Sequence, residues 1–557
     1  MDQNQNSTDV LKTTKFSKVD TNDDTSKSLR SLHKIPEMDV EEVAEINLPI
    51  DGGWAWIVML ASFLCNVMLD GVVLSSGFLH EELMKEFDVS KGYVALVSSL
   101  LPGFQLLAGP FSSALMNKYG FRPVACAGAI VGAVAIALSY YAPTLEVLFF
   151  TYGVLGGIGF SLVYIPSIVV IGFYFEKWRA LATGIAMCGT GVGNFVFPPL
   201  YQYTVAEFGW RGTMLVQAVF VVTCLIYCLA YKPLDVTTVQ TMMEEDDFEK
   251  PKEILTHSMS VKDMNDVERK NTLIGRKASV VSIAKLDKTH SGSRQLVRDD
   301  AMYTGSLARL PQYASRTSLA YHLSVTHLPA AVEEKEEQQQ QNGCCKMLSS
   351  IVDTSLLSSP SFMMLACSGF LTMMGFYVPF IFAVPRATTG GMEESSALLI
   401  VSAIGVSNTI SRIACGILSS FPSVSPLLLN NIAITAGGIY TFFSGVSVSS
   451  AYQFGFAAVF GVCIACFSAL RSIIAVDLMG LEKLTNAFGF LMLFQGVAAI
   501  IGAPIAGILY DKTGSYDVSF YFAGGLILIS ALLCFPLKYV SDWEKKREEQ
   551  KQNGCCA

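Results

Sequence analysis

Asp51-Gly52-Gly53-Trp54-Ala55-Trp56 stands against the start of the first long apolar run, and Tyr174-Phe175-Glu176-Lys177-Trp178-Arg179-Ala180-Leu181-Ala182-Thr183-Gly184 falls between two later ones. A helix needs about 20 apolar residues to cross the hydrocarbon of a bilayer, with every backbone amide satisfied within it. On that ruler the block around the two segments divides into six spans: Trp56 to Phe78, Val94 to Met116, Val124 to Tyr141, Val147 to Gly172, Ala180 to Tyr203 and Thr213 to Tyr231. A second block divides likewise, into Phe362 to Val384, Ala397 to Ser420, Pro426 to Val446, Phe454 to Val476, Asn486 to Leu509 and Val518 to Val540.

Composition requires such a solvent. With 52% hydrophobic and 15% charged residues, the chain carries more apolar surface than a water-soluble core absorbs. The charges gather in residues 1–50, 232–355 and 541–557, leaving six-span halves at 51–231 and 356–540. The fifth and eleventh spans are both glycine-rich and interrupted by proline (Pro198 and Pro199; Pro504), the correspondence by which repeats of a transporter declare themselves. The expected fold is all-α and polytopic, with twelve transmembrane helices.

Lysines and arginines of the short loops divide evenly between the two sides. The connecting segment and the flanks, with Lys27, Arg30, Lys34, Lys545, Lys546 and Arg547, favour cytoplasmic termini. The fourteen cysteines form neither a disulfide framework nor a zinc pattern; most lie singly in spans as small hydrophobes. The repeated Asn-Gly-Cys-Cys at Cys344/Cys345 and Cys555/Cys556 reads either as a palmitoylation site or as plain thiols. Residues 232–355 lack apolar periodicity and are expected to be a disordered cytoplasmic loop, like the first fifty residues and the tail.

Charge inside an apolar block marks chemistry, because an ionisable group near mid-membrane faces a cavity or a partner. Arg412 stands well inside the eighth span, where its planar fork of donors would match a carboxylate at two points; the alternative is a structural arginine paired with a helix end. Asp70, in the first span, would either neutralise Arg412 across a shared cavity or reach toward the interface. Asp477, at the inner end of the tenth span, reads as a helix-end contact. Tyr164 and Phe376 are candidates to line a pocket for the apolar part of a small acid, with lipid-facing or packing roles as the commoner case. No His-Glu-x-x-His, no facing aspartates and no serine-histidine set occur in the spans, so no catalytic residue, metal ligand or cofactor is expected and the chain does not read as an enzyme.

The two opening segments resemble the signatures of the monocarboxylate transporter family (solute carrier family 16), a branch of the major facilitator superfamily, and the likeness extends over both halves. It implies the major facilitator fold and a carrier of small monocarboxylates, placed in the plasma membrane, with membrane lipid, a single-pass glycoprotein chaperone and no nucleic acid as partners. In proton-coupled lactate carriers of that family the eighth span bears an Asp one turn before the Arg, and the first span bears a Lys. Arg412 matches the Arg, but Asn408 occupies the Asp position and Leu74 the Lys position, and neither can exchange a proton. Symport through the usual proton pair is thereby put in question, leaving Asp70. Asn408-Thr409-Ile410, Leu427 to Asn431, Asp477 to Gly489 and Tyr510 to Asp517 resemble the branch with carnitine, creatine and orphan carriers, whose zwitterionic substrates would suit an Arg and an Asp together.

The signature residues read as mechanical. Trp54 and Trp56 suit the lipid-water boundary, Asp51 a helix start, and Gly52 and Gly53 complete the motif. Lys177 and Arg179 fit an inner loop, and Gly184 lets the fifth helix approach a neighbour. A non-transporting sensor or scaffold on the same fold is the other functional class, and a sealed, lipid-facing Arg412 would favour it.

Overall fold

The computed structural model describes residues 42–46, 51–232, 236–240, 297–298, 300, 302–314, 325–327, 354–419, 421, 424–447, 449–481 and 483–555. Ten helices are long and apolar enough to cross a membrane, and the bent pair Lys91–Leu107 and Gly109–Tyr119, meeting at 45°, makes a further span. One of the ten, Arg179–Cys228, has 50 residues; at 1.5 Å per residue it would be about 75 Å long, over twice the hydrocarbon thickness. It breaks at Gly209, whose φ of 67° and ψ of 179° lie outside any helix. Residues 179–208 and 210–228 are therefore the fifth and sixth spans, and twelve spans result among the described residues.

The first span is Gly53–Leu74, the third Phe121–Ser139 and the fourth Leu145–Tyr174. In the second half follow Pro360–Thr389, Glu394–Leu418, Pro426–Gly445, Ser450–Met479, Leu484–Thr513 and Tyr516–Cys534. Serine starts five of these helices: the hydroxyls of Ser90, Ser359, Ser425, Ser449 and Ser515 accept from an amide in the first turn, and Pro360 and Pro426 follow where no amide is needed. Ile130, Val134, Val219, Ile226 and Leu532 are exposed on the flanks, as lipid contact requires.

Some boundaries depart from the apolar runs. The first span stops at Leu74, and a 3₁₀ turn, Ser76–Leu79, leads into the short helix His80–Phe87. Helix replaces most of the loop expected between the fifth and sixth spans. After Cys534 a second helix, Leu537–Cys555, carries the tail.

The halves meet along two helix pairs, the second span with the eleventh and the fifth with the eighth. Glycine allows both approaches. A Cβ on Gly191 would lie 2.6 Å from the Gly405 carbonyl oxygen, and one on Gly103 would lie 2.2 Å from Ile500. Spans six and seven end and begin on the face that carries the connecting segment. At the opposite face the halves are joined: Gly77 abuts Ile381, the amides of Lys91 and Gly92 donate to the Asp511 carboxylate at 3.2 and 2.9 Å, and Gln202 donates to Glu394 at 3.0 Å.

Within the segment 232–355, residues 300 and 302–310 pack against the membrane helices. Met302, Tyr303, Leu307 and Leu310 are buried, and Asp300 is fully so. The missing periodicity misleads because these side chains build no core of their own; the membrane helices supply it. Cys344, Cys345 and Cys556 lie outside the described residues.

Candidate substrate site

Helical spacing brings Asn408 and Arg412 to one face. The eighth span buries Ala397, Val401, Gly405, Asn408, Arg412 and Cys415, a stripe of three- and four-residue steps that faces the bundle interior. Arg412 is 3% exposed. Its Nε donates to Asn408 Oδ1 at 2.7 Å, while its Nη1 is buried with no partner among the described residues. The amide that stands at the family's acidic position therefore tethers one corner of the guanidinium without neutralising it.

Asp70 stands on the first span, in electrostatic contact with Arg412. The Thr190 hydroxyl of the fifth span donates to its carboxylate, and Gln105 of the second lies nearby. Asp70 and Arg412 are within Coulombic reach of each other; Tyr164 feels both, and Tyr377 feels Asp70 and Tyr164. Spans one, two, four, five, seven and eight thus contribute polar groups to one cluster joining the halves. Phe376 extends it as an aromatic wall, edge-on to Tyr377 at 5.0 Å and tilted against Phe380 at 5.6 Å. Arg412 is neither lipid-facing nor at a helix end, and Leu74 is buried at the end of the first span.

The signature residues lie at the connector face and contact one another. Gly52, not Asp51, caps the first helix, and it does so without a side-chain bond. The Asp51 carboxylate instead accepts from the amides of Glu176 and Lys177 at 3.4 and 3.1 Å, and its own amide donates to the Tyr174 carbonyl at 3.0 Å. Its φ of 56° turns the chain to allow this. Trp56 stacks edge-on against Phe175, and the Trp54 indole donates to the Ala230 carbonyl beneath the Lys232 ammonium. Gly53 is exposed, and a Cβ added there would meet nothing within 4 Å. Gly184 faces the backbone of Arg412, where a Cβ would sit 3.5 Å from the carbonyl oxygen.

Arg179 is not a loop residue. It is fully buried at the start of the fifth span, with Nη1 on Asp300 Oδ2 at 2.8 Å and Nη2 on the Gly172 carbonyl. Arg298 grips the same carboxylate at 2.9 and 2.8 Å. Burial opposes ionisation of Asp300, but the two guanidiniums outweigh it and hold the carboxyl well below the usual range. Asp477, half-exposed at the end of the tenth span, pairs loosely with Arg309 at 3.9 Å.

Arg471 was missed. It is 6% exposed in the tenth span, bonded to the Leu365 carbonyl at 3.4 Å and lying over the Phe467 ring. The signal was the one that singled out Arg412, a cation inside an apolar run. Thr190 and Gln105 had none, since uncharged polar residues are common in spans; Tyr377 belongs to the aromatic run of Phe376, Phe380 and Phe382 that the sequence offers as a pocket lining.

Comparison with known proteins bears on the fold and the site together. The profile of the Major Facilitator Superfamily matches residues 55–464 and 365–557. Monocarboxylate transporter 14 of Homo sapiens is 29% identical over 491 residues, 87% of this chain and 90% of its own length. Monocarboxylate transporter 3 of Gallus gallus is 26% identical, covering 88% of this chain and 79% of that one, and Monocarboxylate transporter 10 of Homo sapiens is 25% identical, covering 90% and 82%. These relatives are named transporters, not enzymes.

Proposed function

The chain belongs to the Major Facilitator Superfamily, and from that premise we propose that it carries a small carboxylate-bearing solute across the membrane by alternating access, with Arg412 as the carboxylate ligand. The observation that carries this reading is the buried Nη1 of Arg412, left without a partner among the described residues while Asn408 holds Nε. A guanidinium fixed at one corner has lost part of its freedom before the substrate arrives, and a carboxylate completes its fork at little further entropic cost. The relatives named monocarboxylate transporters support the carboxylate.

Asp70 gives the site a second charge. With no substrate it balances Arg412; a zwitterion would meet both groups, its carboxylate on Arg412 and its cationic centre on Asp70, with Tyr164 and Phe376 along its apolar part. Asn408 and Leu74 exclude the usual proton-coupling pair, so any coupled proton would travel on Asp70. In this reading the protein lies in the plasma membrane with both termini and the connecting segment cytoplasmic, and a single-pass glycoprotein assists it to the surface.

The test is uptake of labelled lactate, pyruvate, carnitine and creatine in cells expressing the full chain, with Arg412→Ala and Arg412→Lys beside the wild type. One substrate should enter with wild type, not with Arg412→Ala, and only weakly with Arg412→Lys, whose ammonium cannot form the fork. Undiminished uptake by Arg412→Ala would remove the carboxylate clamp.

A further inference from the structure

Residues 298, 300 and 302–313 of the connecting segment, the stretch 298–313 below, contact both halves at the connector face. Toward the first half, Asp300 takes Arg179, the Arg298 guanidinium covers the Phe173 ring at 5.5 Å, and the Tyr313 hydroxyl donates to Glu176 at 2.8 Å. Toward the second half, Thr304 bonds the Ala469 carbonyl at 3.2 Å and meets the Ser472 hydroxyl at 2.5 Å. Arg309 gathers the carbonyls of Ser419, Phe421 and Val424, at 2.9, 3.4 and 3.2 Å, where the eighth span has ended. Tyr303 and Leu307 of this stretch are buried, each 1% exposed. The opposite face is held shut by the contacts of Gly77 with Ile381 and of Lys91 and Gly92 with Asp511.

Alternating access requires the halves to rock about the central site, so that one face closes as the other opens. Closure of the connector face would bring the inner ends of the fourth and fifth spans toward the tenth, and residues 298–313 occupy that gap. We propose that this stretch is an autoinhibitory wedge: it seals the connector-face mouth and holds the halves apart there, and it must withdraw before the opposite face can open. Its two attachments differ in kind. The buried ion triad anchors it to the first half, while hydroxyl and carbonyl contacts and the loose, half-exposed Arg309–Asp477 pair, all easily exchanged for water, hold it to the second. Release therefore begins at the tenth span, and the wedge stays on the fifth until Asp300 leaves. The consequence for flux rests on the transport reading above; the seating of the wedge does not.

The experiment uses the full chain in native membranes, with Thr304→Cys and Ser472→Cys together and a protease site inserted between residues 328 and 350. After cleavage the two fragments remain joined only through a 304–472 disulfide. Oxidant should join them, and uptake should fall by about tenfold or more and return with reductant. Asp300→Ala should slow the joining and raise uptake; Arg309→Ala, which strands no buried charge, should do both more mildly and covers the case in which Asp300→Ala fails to fold. A readout free of substrate is labelling of Ile381→Cys by an impermeant maleimide from the opposite face, which should quicken in both loosened variants and slow in the joined one. Absence of joining would overturn the seating of the wedge. Joining that leaves labelling unchanged would overturn its hold on the halves. Labelling that shifts as expected while none of the substrates enters would uphold the wedge and count against the transport reading.

Discussion

Replacing Asp300 with asparagine should free the ordered stretch of the connecting segment while leaving the twelve spans folded. The carboxylate takes Arg179 Nη1 at 2.8 Å and Arg298 Nε and Nη2 at 2.9 and 2.8 Å. The side chains of all three are at most 1% exposed. Removing one partner from a buried pair costs about 3–5 kcal/mol, because the other charge is left without compensation. At 1.4 kcal/mol per tenfold, the undocked fraction of the segment rises by roughly a hundredfold to a few thousandfold. The assay is trypsin applied to the connector face of membrane vesicles, following cleavage after Arg309, whose guanidinium is occupied by three carbonyls when docked. When docking is fast relative to cleavage, the rate follows the undocked population, so Asp300→Asn should be cut at least about fiftyfold faster. The triple variant Arg179→Met, Arg298→Met and Asp300→Leu, which replaces the whole triad with apolar packing, should recover much of the protection. Cleavage of Asp300→Asn within about twofold of wild type would refute the reasoning, since a buried triad worth this much cannot lose a charge silently.

Other consequences follow from the same geometry. Because the Asp300 carboxyl is held low, the stability it lends is fully present above its unfolded value near 3.9 and is lost only as pH falls through the folded value. Docking, followed by papain cleavage from about pH 5 to 8, should therefore be flat, and a midpoint in that window would show another group in control. Gly191→Val should lower the melting temperature in detergent, costing about 1–3 kcal/mol, since its Cβ would fall 2.2 Å from Thr409 Oγ1 and 2.6 Å from the Gly405 oxygen. Asp51→Ala should cost about 1.5–3 kcal/mol by the same melt, the value of a hydrogen bond to a charged group. Asp51→Asn should cost less, because asparagine tolerates the φ of 56° and keeps one acceptor; equal melts for the two would refute the clamp.

The spans were legible because a bilayer leaves no alternative: a run of apolar residues must satisfy its amides as helix, and the runs state their own lengths. What the runs could not state was how a span ends. Leu74 to Phe87 reads as one apolar segment trailing into charge, yet the chain turns through 3₁₀ geometry there, where Gly77 meets Ile381 from the other half. Arg412 was legible by the same token as the spans, being a charge where hydrocarbon should be, and Arg471 was equally so. Asp51 was misread as a cap because local rules consider only the helix that follows, and its partners lie 125 and 126 positions away. Residues 298–313 were illegible for a related reason. Pattern reading asks whether a segment can bury its own apolar residues, and Tyr303 and Leu307 are buried by helices remote in sequence.

The turn between the fourth and fifth spans is where these long-range contacts converge. Residues 174–179 are tied from the first span by Asp51, through the Tyr174 carbonyl and the amides of Glu176 and Lys177. They are tied from the connecting segment by Asp300 on Arg179 and Tyr313 on Glu176. The fifth span that starts there carries Thr190 to Asp70 and packs Gly191 against the eighth span, one turn from Arg412. A displacement of the turn cannot stay local: interiors packed this closely shift between discrete arrangements instead of deforming smoothly. The same rigid helix thus joins the signature at one end to the charged cluster at its middle. That continuity gives the signature a mechanical reason to accompany the charged cluster.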